Sequence, residues 1–383
     1  MGARKRLRRR IVPAATVVAA VLAVRFLFFE VYRVETASME PFLYGSPVEG
    51  DRVLVLRRPG VARALRRFDP VVFRTPDGAH AIKRAIGLPG ETVQVAEGEI
   101  LLNGSPYRKT VEEAEAMLVP VFDSARDAWD DLWKGKDEIW RRQEDRSIVV
   151  DAPAGSAEPA RLLTRRSILD EYPDRRGSLV PGRVVVEDLA LRVDWEPLGE
   201  GGTLALSLHA SADRFEFYLH RDVGSTLATI RRASFSGEGE EIARATLPPL
   251  APGRVVAVEA SDVDGRLRWR VDGRDALAPV DVGRASFSAT NGAGAPRSSG
   301  ATISANGLRA RLHRVRLRRD VHYVAEGEFA VGRALVLGPD EVFLLGDNSG
   351  ASLDGREWGP IRTSRLVGVP FLLYWPPARF RFP

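Results

Sequence analysis

Three polar stretches set among glycines and prolines carry the residue types that could do covalent chemistry. They are TASMEPFL at 36–43, AIKRAIGLPGETV at 81–93 and GDNSGASLDGREWG at 346–359. A serine hydroxyl is a weak nucleophile until a base takes its proton, and a lysine can be that base only when it is neutral. Burial among apolar groups disfavours the ammonium form. Lys83 follows Ala81 and Ile82 and precedes Arg84, a like charge that would lower its pKa further if near. Lys83 fits such a base for a nearby serine, although each stretch alone is a weak signal.

Other chemistries have less to work with. Cysteine is absent, which removes disulfides, thiolate catalysis and cysteine-based zinc sites. The five histidines, His80, His209, His220, His313 and His322, are scattered without an HExxH or other metal-ligand spacing. A histidine triad forms in space and stays open on spacing alone, but each histidine reads as surface or strand filler. No metal site and no cofactor is expected. The chain carries a net charge of +5, and without the six Lys/Arg of its first ten residues that becomes −1. The basicity is a terminal tag, so no nucleic-acid partner is expected.

The elements that must position the candidate residues begin with the apolar run IVPAATVVAAVLAVRFLFFEVY, residues 11–32. A membrane span needs about 20 apolar residues, and this run approaches that length if Arg25 snorkels to the interface. It reads as a single transmembrane anchor over 11–31, with membrane lipid as partner. The basic tail 1–10 predicts a cytoplasmic N-terminus and everything later outside. A cleaved signal peptide and a buried soluble helix are the competing readings.

Beyond the anchor the pattern is mainly β. DRVLVLRR, DPVVFRT and ETVQVAEGEILLNGSPY alternate apolar and polar residues between turns, and the same texture returns in ALVLGPDEVFLLGDNS and LVGVPFLLYW. These runs predict one β domain written in two halves, 32–110 and 326–383. The inserted module between them covers 111–325. Its first part, 111–150, reads as partly helical, with Trp129, Trp133 and Trp140 on one helical face, although Gly135 weakens that helix. Residues 180–320 read as an antiparallel β-sandwich, with Phe215, Phe217 and Leu219, and Leu267, Trp269 and Val271, pointing inward at period two.

Together the motifs resemble those of type I signal peptidases, the membrane-anchored Ser/Lys leader peptidases. That family has a Ser-Met-x-Pro-Thr-Leu box after its anchor, a Gly-Asp-x-Val box, a Lys-Arg box followed by Gly-x-Pro-Gly-(Asp/Glu), and a late Gly-Asp-Asn-Ser-x-x-Ser-x-Asp-Ser-Arg box. Here these read SMEPFL (Ser38 to Leu43), GDRVLV (Gly50 to Val55), KRAIGLPGETV (Lys83 to Val93) and GDNSGASLDGREWG (Gly346 to Gly359). The resemblance implies Ser38 as nucleophile, Lys83 as general base, Ser352 as the hydroxyl that orients the lysine, and Thr36 as an oxyanion donor. It implies Arg84, Asp354 and Arg356 as a bracing charge cluster, and Met39 and Pro41 as residues of the turn and substrate pocket. Phe42 stands where threonine is usual and Gly355 where serine is usual, and both departures bear on the shape of the pocket.

The function so implied is removal of signal peptides from exported preproteins at the cytoplasmic membrane, with cleavage after small residues in an Ala-x-Ala pattern. Two alternatives stand beside it. One is a specialised relative with few substrates, such as a conjugation-type or pilus-maturation peptidase. The other is a surface-anchored binding protein acting through the insert, whose laminin-G or lectin-like texture would take a glycan or protein ligand.

Overall fold

The computed structural model describes residues 28–57, 60–136, 138–156, 158–211, 213–234, 239–283 and 297–383. The basic tail and the expected anchor up to residue 27 lie outside them. Among the described residues no helix is long and apolar enough to cross a membrane. The expected anchor boundary at 31 is too late, because Phe29–Arg33 is a strand paired residue for residue with 52–56.

The chain divides into two compact units. One comprises residues 1–96, 100–105 and 323–383, and the other 97–99 and 106–322.

The first unit is built on a seven-stranded sheet: β1 (Phe29–Arg33), β2 (Arg52–Arg57), β3 (Pro70–Arg74), β4 (His80–Gly87), β5 (Glu341–Leu345), β6 (Ile361–Arg362) and β7 (Leu366–Trp375). Their order across the sheet is β1-β2-β7-β3-β4-β5-β6, with antiparallel neighbours throughout. Successive side chains of a strand point to opposite faces, and β3 shows the consequence. Val72 joins a buried cluster with Val34, Met39, Leu43, Val53, Val55 and Leu373. Its neighbours Val71 and Phe73 join another with Leu65, Ala85, Val342, Leu344 and Ile361. The sheet is thus apolar on both faces, and it brings β4, near the start of the sequence, beside β5, near its end.

The second unit has two large antiparallel sheets and a two-stranded pair, Tyr172–Pro173 with Leu179–Val180. One runs in the order 140–142, 148–151, 309–319, 189–197, 256–263, 266–271 and 274–275, and Val119–Asp123 and Val280–Asp281 also pair with its strands. The other runs 240–247, 225–234, 213–222, 202–210, 299–306, 160–164 and 133–134. Phe215, Phe217, Leu219, Leu267 and Trp269 are buried in one core that draws on both sheets. On the second sheet Arg161, His209, Arg214, Glu216, Tyr218 and Asn306 help to line a groove of about 610 Å³.

Residues 111–150 are partly helical, but the single helical face expected for the three tryptophans needs correction. Helix is confined to Val111–Met117, closed by a Thr110/Glu113 capping box, and Trp129–Leu132. Trp133 and Trp140 lie in strands, paired with Thr164 and Val150. A helical face would have presented the three indoles together on a surface. Instead Trp129 enters the core from its short helix and Trp133 and Trp140 enter it from paired strands, and strands of this unit are already present at Val119, well before residue 180.

Candidate active site

Ser38 sits in a one-turn 3-10 helix, Ala37–Met39, anchored by Met39, which is buried in the core of the first unit. The turn passes close to the chain that follows it. A Cβ on Gly45 would lie 1.9 Å from the carbonyl oxygen of Thr36, so only glycine permits this approach.

Lys83 projects from β4, and its Nζ donates a hydrogen bond to Ser38 Oγ at 2.5 Å. The Thr36 hydroxyl lies 3.2 Å from the same oxygen. Lys83 is 3% exposed, and its pKa is pushed down to about 8, chiefly by desolvation. The carboxylates of Asp354 and Asp347 oppose that shift, and the Arg356 charge adds to it. Burial outweighs both carboxylates. A lysine near 8 keeps a substantial neutral fraction at neutral to mildly alkaline pH, which suits a general base.

The like charge that lowers Lys83 is therefore Arg356, and the expectation for Arg84 does not hold. Neighbours on a strand face opposite ways, and Arg84 turns to Asp347, with Nε–Oδ1 at 2.7 Å and Nη2–Oδ2 at 2.8 Å, and to the Phe68 carbonyl at 2.9 Å. Both partners of this ion pair are buried. It ties β4 to the loop after β5. The other charged pair braces that loop from within. Asp354 caps the short helix Gly355–Trp358 and accepts from the Gly346 N–H at 3.0 Å and from Arg356 Nε at 2.9 Å. Arg356 in turn donates to the Ser349 carbonyl at 2.7 Å and hydroxyl at 3.0 Å.

Ser352 departs from expectation. Its hydroxyl is buried and makes no hydrogen bond among the described residues, while the Lys83 bond that is present goes to Ser38. It lies beside the Ser38 backbone across Gly346, where an added Cβ would stand 2.2 Å from Ser352 Oγ and 2.5 Å from the Ser38 carbonyl oxygen.

Ser38, Lys83, Thr36 and Met39 line a groove of about 900 Å³, walled by Val31, Tyr32, Ile82, Leu353 and Trp358 among others. Pro41 does not line it. It belongs to the turn, and its carbonyl accepts from Arg379. Nor does Phe42 line the groove. Its ring lies under the Arg84 guanidinium, 4.3 Å from the centroid. Gly355 is tight for a packing reason, since a Cβ there would come within 2.9 Å of the Phe343 ring.

Sequence reasoning passed over several residues that hold this arrangement. Asn348 donates its backbone N–H to the Ser38 carbonyl at 3.1 Å and its side-chain amide to the Ala37 carbonyl at 3.2 Å. Asp347 neutralises Arg84. Both lie inside the GDNS stretch that was singled out, so the signal was present and unassigned. Arg379 and Arg381, near the end of the chain, carried no motif.

The protein-family model described as signal peptidase, peptidase S26, matches residues 7–139 and 304–375, just over half of the chain. Signal peptidase I V of Bacillus subtilis (strain 168) is 36% identical over 108 residues, covering 27% of this chain and 62% of that protein. Signal peptidase I of Bacillus licheniformis is 36% identical over 113 residues, covering 27% and 59%. The chain thus spans about three fifths of the length of these relatives. The solved structure of SCLam, a non-specific endo-beta-1,3(4)-glucanase from family GH16, aligns at 12% identity with a TM-score of 0.34, covering 62% of this chain and 97% of that one, too low to carry an argument.

Proposed function

Because the chain belongs to the signal peptidase family, peptidase S26, we propose that it is a membrane-anchored serine endopeptidase that removes signal peptides from exported preproteins through a Ser38/Lys83 dyad. The observation that carries this reading is the 2.5 Å hydrogen bond from a buried Lys83 to Ser38 Oγ, at the side of an open groove.

Neutral Lys83 takes the Ser38 proton as the oxygen attacks the scissile carbonyl. The Thr36 hydroxyl and the Ser38 N–H receive the oxyanion. Collapse breaks the peptide C–N bond, the protonated lysine returns its proton to the leaving amine, and an ester to Ser38 remains. Lys83, neutral again, then activates the water that hydrolyses the ester. Once Ser38 is acylated, its oxygen is a poorer acceptor for the lysine. Ser352, whose buried hydroxyl has spent none of its hydrogen-bonding capacity, is the group suited to hold Lys83 during that second half.

The Arg84–Asp347 and Arg356–Asp354 pairs keep the two halves of the site in register, and Met39 gives the groove an apolar wall. The apolar run before β1 anchors the chain, so that the groove meets substrates as they leave the membrane, and the small residues of an Ala-x-Ala site enter it. Incubating the purified full chain in detergent with a preprotein that ends its signal in Ala-x-Ala tests this reading. Wild type cleaves after the second alanine, while Ser38→Ala and Lys83→Ala leave essentially no activity. Cleavage by Lys83→Ala at the wild-type rate would overturn the dyad.

A further inference from the structure

The turn that carries Ser38 is gripped from two sides. On one side Asn348 holds the Ala37 and Ser38 carbonyls. On the other is the last segment of the chain. Arg379 donates to Asp51 Oδ2 at 2.6 Å and to the Phe42 carbonyl at 3.0 Å, and its guanidinium lies 4.1 Å over the Tyr44 ring. Asp51 is fully buried and also accepts the Tyr44 N–H at 2.8 Å. Arg381 donates to the same Phe42 carbonyl and lies 5.2 Å from the Phe42 ring centroid. That ring also carries Arg84, itself fixed by Asp347.

Two cations on one carbonyl repel each other and need compensation. Asp51 compensates Arg379. Arg381 has no ion pair among the described residues; the Asp51 charge favours it at longer range, and the Phe42 ring adds a cation–π attraction. The segment is held in place by mutual backbone bonds between Leu373 and Arg381, at 2.9 and 3.2 Å, and by Phe382 packed 5.5 Å from Phe371. A threonine at 42 would offer no ring, so Phe42 and Arg381 form a matched pair.

We propose that Arg379 and Arg381 are positioning residues for the nucleophile, with Arg381 acting through the Phe42 ring and carbonyl to fix the turn 38–44. The inference rests on the dyad reading for its catalytic consequence, while the clamp on the turn stands apart from it. Neither arginine touches the reacting atoms.

The test uses the full chain and four variants: Arg381→Ala, Arg381→Lys, Phe42→Leu and the double Phe42→Leu/Arg381→Ala. Turnover of a preprotein is expressed per active site counted by the acyl burst, so that misfolded protein drops out. Loss of a stacked cation and its carbonyl bond is expected to lower kcat about tenfold with KM within about twofold. Arg381→Lys, lacking the planar fork, recovers only part of the loss. The double variant is slower than Phe42→Leu alone by less than the full Arg381→Ala loss, because only the carbonyl bond is left to remove. Independently of turnover, amide exchange of Leu43, which donates to the Met39 carbonyl at 2.8 Å, and of Tyr44 accelerates in Arg381→Ala.

Unchanged exchange at Leu43 and Tyr44 overturns the clamp whether or not the chain cleaves anything. Faster exchange with kcat within twofold of wild type overturns the catalytic role, as does a double variant whose losses simply add. A wild-type chain that cleaves nothing, with the exchange result as expected, would instead refute the peptidase reading and leave the clamp standing.

Discussion

Replacing Lys83 with methionine should stabilise the protein while destroying its activity, and the gain should depend on pH in a defined direction. The Lys83 pKa lies at about 8 against an ordinary 10.5. At about 1.4 kcal/mol per unit, folding with this lysine charged costs roughly 3 kcal/mol. The penalty is fully present at pH 6, where the ammonium is protonated both folded and unfolded. As pH rises through 8 the folded lysine loses its proton first, the unfolded chain then binds more protons, and stability rises. By pH 9.5 only about 1.4 kcal/mol of the penalty remains. Methionine removes the penalty at every pH but also the hydrogen bond to Ser38, a loss of about 1 kcal/mol.

Lys83→Met should therefore be more stable than wild type by about 2 kcal/mol at pH 6 and nearly equal to it at pH 9.5. Urea unfolding of both chains at the two pH values, read in the first unit by hydrogen exchange along β3 and β4, measures this. A difference that stays the same at both pH values would refute the reasoning, because it would mean that Lys83 titrates like an exposed lysine.

Three other outcomes follow from the geometry. Gly346→Ala drives a Cβ into the Ser38 carbonyl and Ser352 Oγ, so preprotein turnover should fall by at least about 100-fold, as a 1 Å displacement of a reacting group can do; circular dichroism should stay near wild type. Thr36→Val removes one oxyanion donor and should lower kcat by about 10²–10³ while leaving the pH at half-maximal rate unchanged. In the second unit Lys109 is buried and bridges Asp264 at 2.6 Å and Asp320 at 2.7 Å. Lys109→Met strands two buried carboxylates and should cost about 3–5 kcal/mol, measured as a lowered thermal midpoint of that unit.

What could be read from the sequence was the chemistry. Ser38 and Lys83 stood out because only a few side chains can attack a carbonyl or serve as its base, and both sat in stretches punctuated by glycine or proline. Arg356 and Asp354 were legible only through the resemblance, as matches to the bracing charge cluster of that family. Their partners across the fold were not. That Arg84 pairs with Asp347 depends on β4 lying beside β5, a contact across more than 250 residues that no local pattern encodes. Arg379 and Arg381 depend on the chain end folding back over β7.

The tryptophans of the insert failed for a related reason. Their spacing of four and seven fits a helix, but the three indoles enter the core from a short helix (Trp129) and two strands (Trp133 and Trp140), and tertiary burial overrode the local period. Ser352 was assigned a hydrogen bond on resemblance alone, and in this arrangement its hydroxyl makes none among the described residues while Lys83 bonds Ser38.

The central claim is that Ser38 becomes esterified during cleavage, and trapping that ester tests it most directly. A preprotein is mixed with the full chain, and the mixture is quenched with acid during the first turnovers and digested for mass spectrometry. The account predicts the signal-peptide fragment attached through its C-terminal carbonyl to Ser38 in wild type, and no adduct in Ser38→Ala. An adduct on another residue, or cleavage that persists in Ser38→Ala, would contradict it.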